Sequence, residues 1–155
     1  LEPRMIEYTQ ANLEWLHGTH QPKSSYFKVE AGDATAHIWQ NADAIHFVAC
    51  EAYLGRPLAH WPEPPVLQDI VMACNTIIEK FLRNFHAQAR PGARLCLAVP
   101  AWVAPNGRIK HLPLLDRIDD LGYNRVSFAF ADNSEMVYHR EGQIVARELL
   151  VITRK

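Results

Sequence analysis

The fold is decided by VLQDIVMACNTIIEKFLRNF at Val66–Phe85 and by RPGARLCLAV at Arg90–Val99. In the first stretch, apolar residues recur at the three-and-four spacing of an amphipathic helix, as Leu67, Ile70, Val71, Cys74, Ile77, Ile78, Phe81, Leu82 and Phe85. The second stretch breaks that helix with a proline-glycine turn and predicts a buried strand over Arg94–Val99. A helix that leads directly into a buried strand is typical of an α/β fold.

Further helices and strands are predicted on both sides of this pair. The predicted helices are Pro3–His17, stopped by Gly18, and Leu112–Leu121, stopped by Gly122. The predicted strands are Tyr26–Glu30, Ala44–Cys50, Arg125–Phe130 and the two arms of a closing hairpin, Met136–Tyr138 and Ile144–Thr153. This alternation predicts an α/β domain whose sheet is mostly parallel and ends in an antiparallel hairpin.

Length and composition limit the possible classes of protein. The 155 residues are enough for a single domain over 1–155, and 48% hydrophobic with 21% charged residues is a globular composition. The net charge of −1 excludes a basic field over the whole domain, so nucleic acid would have to bind a local patch or another domain. Three cysteines without paired spacing, no signal peptide and no apolar run of about 18 residues predict a cytoplasmic protein that crosses no membrane.

Polar residues follow three of the predicted strands, where open α/β sheets bind their ligands. These positions are Gly32-Asp33, Cys50 to Tyr53 and Pro100 to Trp102. Asp33 is either a hydrogen-bond acceptor for a nucleotide-like cofactor or a turn residue that fixes its own backbone. Glu51 is either the partner of a bound amino group or a solvated loop carboxylate. Tyr53 either stacks on a planar ring or covers the core.

Motifs for other chemistries are absent from the sequence. His17 and His20 are expected to be separated by a helix break at Gly18, and His46 and Cys50 have no further ligands at metal-site spacing, so we predict no metal. No G-x-S-x-G, P-loop or G-x-G-x-x-G occurs. The missing glycine-rich turn is informative because a doubly wound cofactor domain normally has one after its first strand.

Three segments together resemble the class I S-adenosylmethionine-dependent methyltransferases. Arg90–Leu97 (RPGARLCL) looks like the family's KPGGRLVL entry into its fifth strand, and Glu30–Ala34 (EAGDA) looks like its GDA motif. Asp43–Arg56 is similar to the DAIVTDPPYGR segment of amino-group methyltransferases. The order and spacing of these motifs span essentially the whole chain.

Within this class, the chain resembles the THUMP-associated tRNA guanosine methyltransferases, which are often described as DNA methylases. Met5–Leu16 looks like the helix after the family's second strand, and the DPPYG box has its expected place. Tyr138–Glu148 looks like the family's closing hairpin.

The resemblance implies roles for four residues. Asp33 and Ala34 would contact the adenine of S-adenosylmethionine, Glu51 would receive the target amino group, and Tyr53 would lie against the target base. When the chain is aligned on Gly55-Arg56, Ala52 and Tyr53 replace the two prolines of the box. An alignment on Tyr53 places Cys50 at the acidic position instead.

The resemblance also implies that the family's first two strands and its glycine-rich loop would precede Leu1. The expectation is therefore the carboxy-terminal part of a catalytic domain with an incomplete Rossmann-like sheet, inactive by itself. The family's strand order is 3-2-1-4-5-7-6, so the missing strands would lie between Tyr26–Val29 and Ala44–Ala49. We therefore predict that the early strand pairs directly with its neighbour or with another molecule, and that the exposed edges allow a dimer.

Two functions remain open. The first is methyl transfer from S-adenosylmethionine, bound by the intact protein, to an exocyclic amino group of a nucleic-acid base. Guanine in tRNA is the expected target in preference to a base in DNA. The nucleic acid is expected to bind through an amino-terminal domain that the chain lacks. The second is a non-catalytic interaction or dimerisation module with a degenerate methyltransferase fold. A nucleotide-binding oxidoreductase fits the closing hairpin and the Arg90-Pro91-Gly92 turn less well.

Overall fold

The computed structural model describes residues 3–22, 25–132 and 135–155. Within these ranges the chain forms helices α1 (Pro3–His20) and α2 (Pro64–Gln88). The strands are β1 (Phe47–Glu51), β2 (Arg94–Val103), β3 (Ile109–Lys110), β4 (Tyr123–Arg125), β5 (Val137–Tyr138) and β6 (Val145–Arg154).

The six strands form one mixed sheet, in which four follow the order β1-β2-β6-β4, while β3 pairs with β2 and β5 pairs with β6. Strands β1, β2 and β4 run in one direction, and β6 runs in the other. The expectation of a mostly parallel sheet therefore needs correction, because β1 and β2 are the one parallel pair among the described strands. The reason is that β6 inserts between β2 and β4 and forms antiparallel ladders with both.

Helix α2 covers one face of the sheet and supplies much of the core. The predicted helix is confirmed and extends two residues earlier and three residues later than its apolar pattern. Its first turn contains Pro64 and Pro65, which suit that position because no intrahelical N–H donor is needed there. Seven of its residues are buried: Leu67, Ile70, Val71, Cys74, Ile78, Leu82 and Phe85. They pack against the alternating buried residues of β2 and β6.

Strand β1 is an exposed edge, which contradicts the prediction of a buried strand over Ala44–Cys50. Ala42–Ala44 forms a 3-10 turn, and the strand begins only at Phe47, whose side chain is 72% exposed. Val48 alone in the strand is partly buried against the core. The cause is that β1 pairs with β2 on one side and with no other strand among the described residues.

The first part of the chain lies outside the sheet. Residues 25–33 form no strand, so the predicted strand Tyr26–Glu30 and its pairing with β1 are wrong, and Tyr26 is 94% exposed. A lone extended segment gains no ladder hydrogen bonds and has no reason to persist as a strand. Pairing with another molecule stays a prediction. Helix α1 continues through Gly18 to His20, so the predicted break there is also wrong, and none of residues 4–20 is buried.

The carboxy-terminal third differs from the predicted elements in two places. Short 3-10 turns at Pro113–Arg117 and Asp119–Leu121 replace the helix Leu112–Leu121, and Gly122 ends them with a φ of 83°. The strand expected at Arg125–Phe130 is instead β4, Tyr123–Arg125, which pairs with the end of β6. Buried Tyr123 also donates its hydroxyl hydrogen to the carbonyl oxygen of Leu82 at 2.7 Å. The closing hairpin is confirmed as β5 and β6.

Candidate functional site

Glu51 ends β1 at the carboxyl edge of the sheet, where the strand-end rule placed a candidate ligand site. The ladder continues one step further, because the Ala52 N–H donates to the carbonyl oxygen of Ala98 at 2.9 Å. The Glu51 carboxylate is 54% exposed, and its Oε2 lies 2.5 Å from Nε of Arg147 on β6. This ion pair crosses β2, which lies between the two strands.

An open cleft of about 420 Å³ lies beside this ion pair. Its walls are the segment 54–58, the segment 142–145 and Arg147, and its two charged residues are Arg56 and Arg147. Gly55 allows the first segment to pass close to α2, since its φ is 85° and an added Cβ would lie 3.2 Å from Ile70 and Cys74. Of the two charged residues, Arg147 is neutralised by its ion pair with Glu51, so the cleft takes its positive charge from Arg56.

Tyr53 borders a different hollow. It lines a cavity of about 370 Å³ together with Val66, Asp69 and Ala73 at the start of α2. The ring is 48% exposed, so one part of it is available to a planar ligand. Gly55 and Arg56 line both cavities and connect the surroundings of Tyr53 with those of Glu51.

Asp33 and Ala34 lie in a turn some distance from Glu51 and Tyr53. The Asp33 Oδ1 accepts hydrogen bonds from the backbone N–H and the hydroxyl of Thr35 at 2.9 and 2.8 Å. The hydrogen bond from the Thr35 backbone N–H lowers the pKa of Asp33 below its ordinary value, and the bond from the Thr35 hydroxyl lowers it further. The carbonyl oxygen of Ala34 accepts from Nδ2 of Asn84, near the end of α2. Asn84 lies about 20 Å along α2 from Ile70, so the two pairs of predicted site residues are not brought together.

The described residues do not form one pocket for S-adenosylmethionine. Ala34 lines a separate hollow of about 260 Å³ with Gly32, His37 and Trp39, while Oδ1 of Asp33 is engaged by its own turn. The cleft next to Glu51 contains none of these residues.

One charged group in the interior was missed from the sequence. Glu148 on β6 is 2% exposed and binds His111 and Arg125. Every second residue of β6 is buried, and this pattern could have indicated that Glu148 lies on the covered face of the sheet. The buried residues are Ala146, Glu148, Leu150 and Ile152. Arg147, the partner of Glu51, was also missed as a site residue, because the two lie 96 positions apart in the chain.

Among residues 3–22, 25–132 and 135–155, no group of three or more His, Cys, Asp or Glu side chains is placed to hold a metal ion. Over the same ranges, none of the helices combines the length and apolar character needed to cross a membrane.

No protein-family model matches this chain, and no curated protein matches it. The fold is similar to crystal structures of TTHA0409 from Thermus thermophilus, described as a "putative DNA modification methylase". Two of them share 16% identity with the chain at TM-scores of 0.40 and 0.43, covering 73% and 80% of it. A third, of that protein with S-adenosyl-L-methionine, shares 18% at a TM-score of 0.41 over 73% of the chain. The chain spans about half of the length of these structures, between 45% and 52%.

Proposed function

We propose that this chain is part of an S-adenosylmethionine-dependent methyltransferase that acts on an exocyclic amino group of a nucleic-acid base, with guanine in tRNA preferred to a base in DNA. The observation that carries this proposal is the position of Glu51. Its carboxylate ends a parallel strand at the carboxyl edge of the sheet and lies beside an open cleft. That edge is where open α/β sheets bind their ligands.

The sheet order also supports the proposal. The sequence resemblance implies the order 3-2-1-4-5-7-6, and the observed β1-β2-β6-β4 corresponds to its last four positions. The final strand, β6, lies between β2 and β4 and runs antiparallel to both, as strand 7 lies between strands 5 and 6 in the implied order. A sheet with this insertion is consistent with the second half of a methyltransferase sheet.

Glu51 and Tyr53 would position the base in this proposal. Oε2 of Glu51 is bound by Arg147, while Oε1 accepts no hydrogen bond within the described residues and is available to a base amino group. The half-exposed ring of Tyr53 would stack on the base. Arg56, which forms no ion pair among the described residues, would contact a phosphate. Such contacts orient a nucleophile, which is a large part of what transfer from an activated donor requires.

A non-catalytic module is the second candidate, and one observation favours it. Asp33 and Ala34 are held at one end of α2, while Glu51 and Tyr53 lie near the other end. A non-catalytic chain does not need the predicted cofactor residues to lie beside the predicted base-binding residues. The same fold would then serve interaction or dimerisation.

The test uses the protein together with any coding sequence that precedes Leu1 in the same reading frame. Binding of S-adenosylmethionine is measured by calorimetry, and transfer of a labelled methyl group is measured on unmodified tRNA and on duplex DNA. We expect S-adenosylmethionine to bind and tRNA to be labelled. Glu51→Gln should lower the labelling of tRNA at least about tenfold. Asp43→Asn, on the 3-10 turn before β1, should leave the labelling unchanged. Absence of both binding and labelling would reject the enzyme and favour the module.

A further inference from the structure

The closing hairpin places an aromatic side chain on the same face of the sheet as Glu51. Tyr138 of β5 lies opposite Arg147 of β6, and Nε of Arg147 contacts Oε2 of Glu51. Arg147 also lies opposite Pro100 of β2. Two residues earlier in β2, Ala98 lies opposite Glu51. Because opposite residues of neighbouring strands point to the same face, and so do residues two apart in one strand, Glu51, Arg147 and Tyr138 share one face.

A guanidinium group is held against the ring of Tyr138. Nε of Arg140 donates to the hydroxyl oxygen of Tyr138 at 3.0 Å, and its guanidinium carbon lies 5.9 Å from the ring centroid. A turn positions Arg140, since its carbonyl oxygen accepts from the Gln143 N–H at 3.1 Å and Gly142 has a φ of 76°. Tyr138 is 52% exposed. The pair therefore offers an aromatic ring, a phenolic O–H and further guanidinium N–H donors.

The same turn forms part of the cleft beside Glu51. Residues 142–145 line one wall of this cleft, and Arg56 lies in another. Neither Arg56 nor Arg140 forms an ion pair within the described ranges, so both charges are available to an anion. The turn contains one acidic residue, Glu141, next to Arg140. Free guanidinium groups next to an aromatic ring suit a nucleotide, whose phosphate is anionic and whose base is planar.

We infer that Tyr138 and Arg140 bind a nucleotide that flanks the target base on the same strand, an inference that rests on the proposed function. The flanking base stacks on the ring of Tyr138, and its phosphate accepts hydrogen bonds from Arg140. Strands β1 and β5 are separated by β2 and β6, hence by roughly 14 Å at about 4.8 Å per strand. The base held at Glu51 therefore does not also cover Tyr138, and a second nucleotide occupies this position.

Stacking on Tyr138 identifies the bound nucleic acid as an unpaired segment. A base can stack on a side chain only where its face is free, which loops and single strands supply and a regular duplex does not. Stacking of this kind tolerates any base, because every base has a planar face. Tyr138 and Arg140 therefore favour unpaired over paired RNA without selecting a sequence around the target.

The first test measures binding without S-adenosylmethionine, using the protein together with any coding sequence that precedes Leu1. Fluorescence anisotropy gives the dissociation constants for an unpaired RNA of mixed sequence and for the duplex of that sequence. We expect tighter binding of the unpaired RNA, and Tyr138→Ala should weaken it at least about fivefold. Tyr138→Phe, which keeps the ring, should stay within about threefold. Tyr26→Ala, which removes a tyrosine that is 94% exposed, is the matched control and should change nothing.

The second test counts the phosphate contact of Arg140. The logarithm of the binding constant falls linearly with the logarithm of the salt concentration, by about 0.7 for each phosphate contacted on a single strand. Arg140→Gln should therefore reduce this slope by about 0.7. Arg83→Gln removes the same charge from α2, where Arg83 is paired with Glu79, and should leave the slope unchanged. If Tyr138→Ala fails to fold, the slope of Arg140→Gln decides.

Three outcomes would overturn the inference: no binding of unpaired RNA, tighter binding of the duplex, or equal effects of Tyr138→Ala and Tyr26→Ala. These outcomes are separate from the fate of the proposed methyl transfer. Labelling that depends on Glu51, together with normal RNA binding by Tyr138→Ala, would reject the flanking site and keep the enzyme. Binding that depends on Tyr138, without any labelling, would keep the nucleotide site and reject the enzyme.

Discussion

Oε2 of Glu148 lies 2.6 Å from Nδ1 of His111, although Glu148 is only 2% exposed and the side chain of His111 is 46% exposed. The other oxygen, Oε1, lies 3.4 Å from Nη2 of Arg125. A buried carboxylate is costly unless it is paired, and both partners here reach it from partly hydrated positions. Glu148 therefore connects β6 with β4 and with the segment that follows β3.

We predict that Glu148→Gln lowers the free energy of unfolding by about 1.5–3 kcal/mol, the usual range for hydrogen bonds that involve a charged group. Urea denaturation at neutral pH measures the change. Glu141→Gln, at the exposed turn of the closing hairpin, is the control and should change stability by less than about 0.5 kcal/mol. Equal losses in the two variants would show that Glu148 makes no net contribution through its partners.

A second prediction uses two neighbouring residues of α2. Ile78 is 1% exposed and Ile77 is 38% exposed, so the same substitution to alanine probes burial alone. Ile78→Ala should lower the free energy of unfolding by about 2–5 kcal/mol, because it removes apolar contacts and leaves a cavity. Ile77→Ala should cost less than about half as much. Denaturant unfolding of both variants checks the order, and a reversed order would contradict the orientation of α2.

The sequence predicts well those elements that are specified by a regular apolar repeat or by contacts between residues close together in the chain. Helix α2 is predicted because its apolar spacing matches the face that it buries, and the hairpin is predicted because its two strands are joined by a short turn. The segment Tyr26–Glu30 has the composition of a strand but pairs with no strand among the described residues, so composition alone misleads there. Exposure of β1 also depends on what pairs with its outer edge, and no local pattern records that.

The candidate site is predictable only in part for a similar reason. The position of Glu51 at a strand end follows from the run of apolar residues before it. Its partner Arg147 does not, because that contact depends on where β6 enters the sheet. For Asp33, the alternative of a turn residue that fixes its own backbone describes the hydrogen bonds to Thr35. Its predicted role toward a cofactor stays a prediction.

His86 makes stability depend on pH. Burial lowers its pKa, and the nearby Arg154 guanidinium lowers it further. An unfolded histidine takes up protons below about pH 6.5, while folded His86 resists protonation until lower pH. The unfolded state therefore binds more protons in this window, and stability falls as the pH decreases through it.

The prediction is that His86→Gln reduces the difference in free energy of unfolding between about pH 7.5 and pH 5.5. Denaturation curves at the two pH values measure that difference. His60→Gln, which changes an exposed histidine, should leave it unchanged. If His86→Gln leaves the difference as large as in the wild type, then another group causes the loss of stability.

The last prediction concerns the segment that holds Ala34. Gln88 connects it to α2 twice, because its Nε2 donates to the carbonyl oxygen of His37 at 2.9 Å and its Oε1 accepts from the Trp39 N–H at 3.0 Å. Gln88→Ala should therefore speed hydrogen exchange at the Trp39 amide at least about tenfold, which corresponds to roughly 1.4 kcal/mol of local stability. Gln68→Ala, at an exposed position of the same helix, should not change it. If exchange stays slow in Gln88→Ala, the ring contacts of Trp39 with Phe81 and Phe85 hold the segment instead.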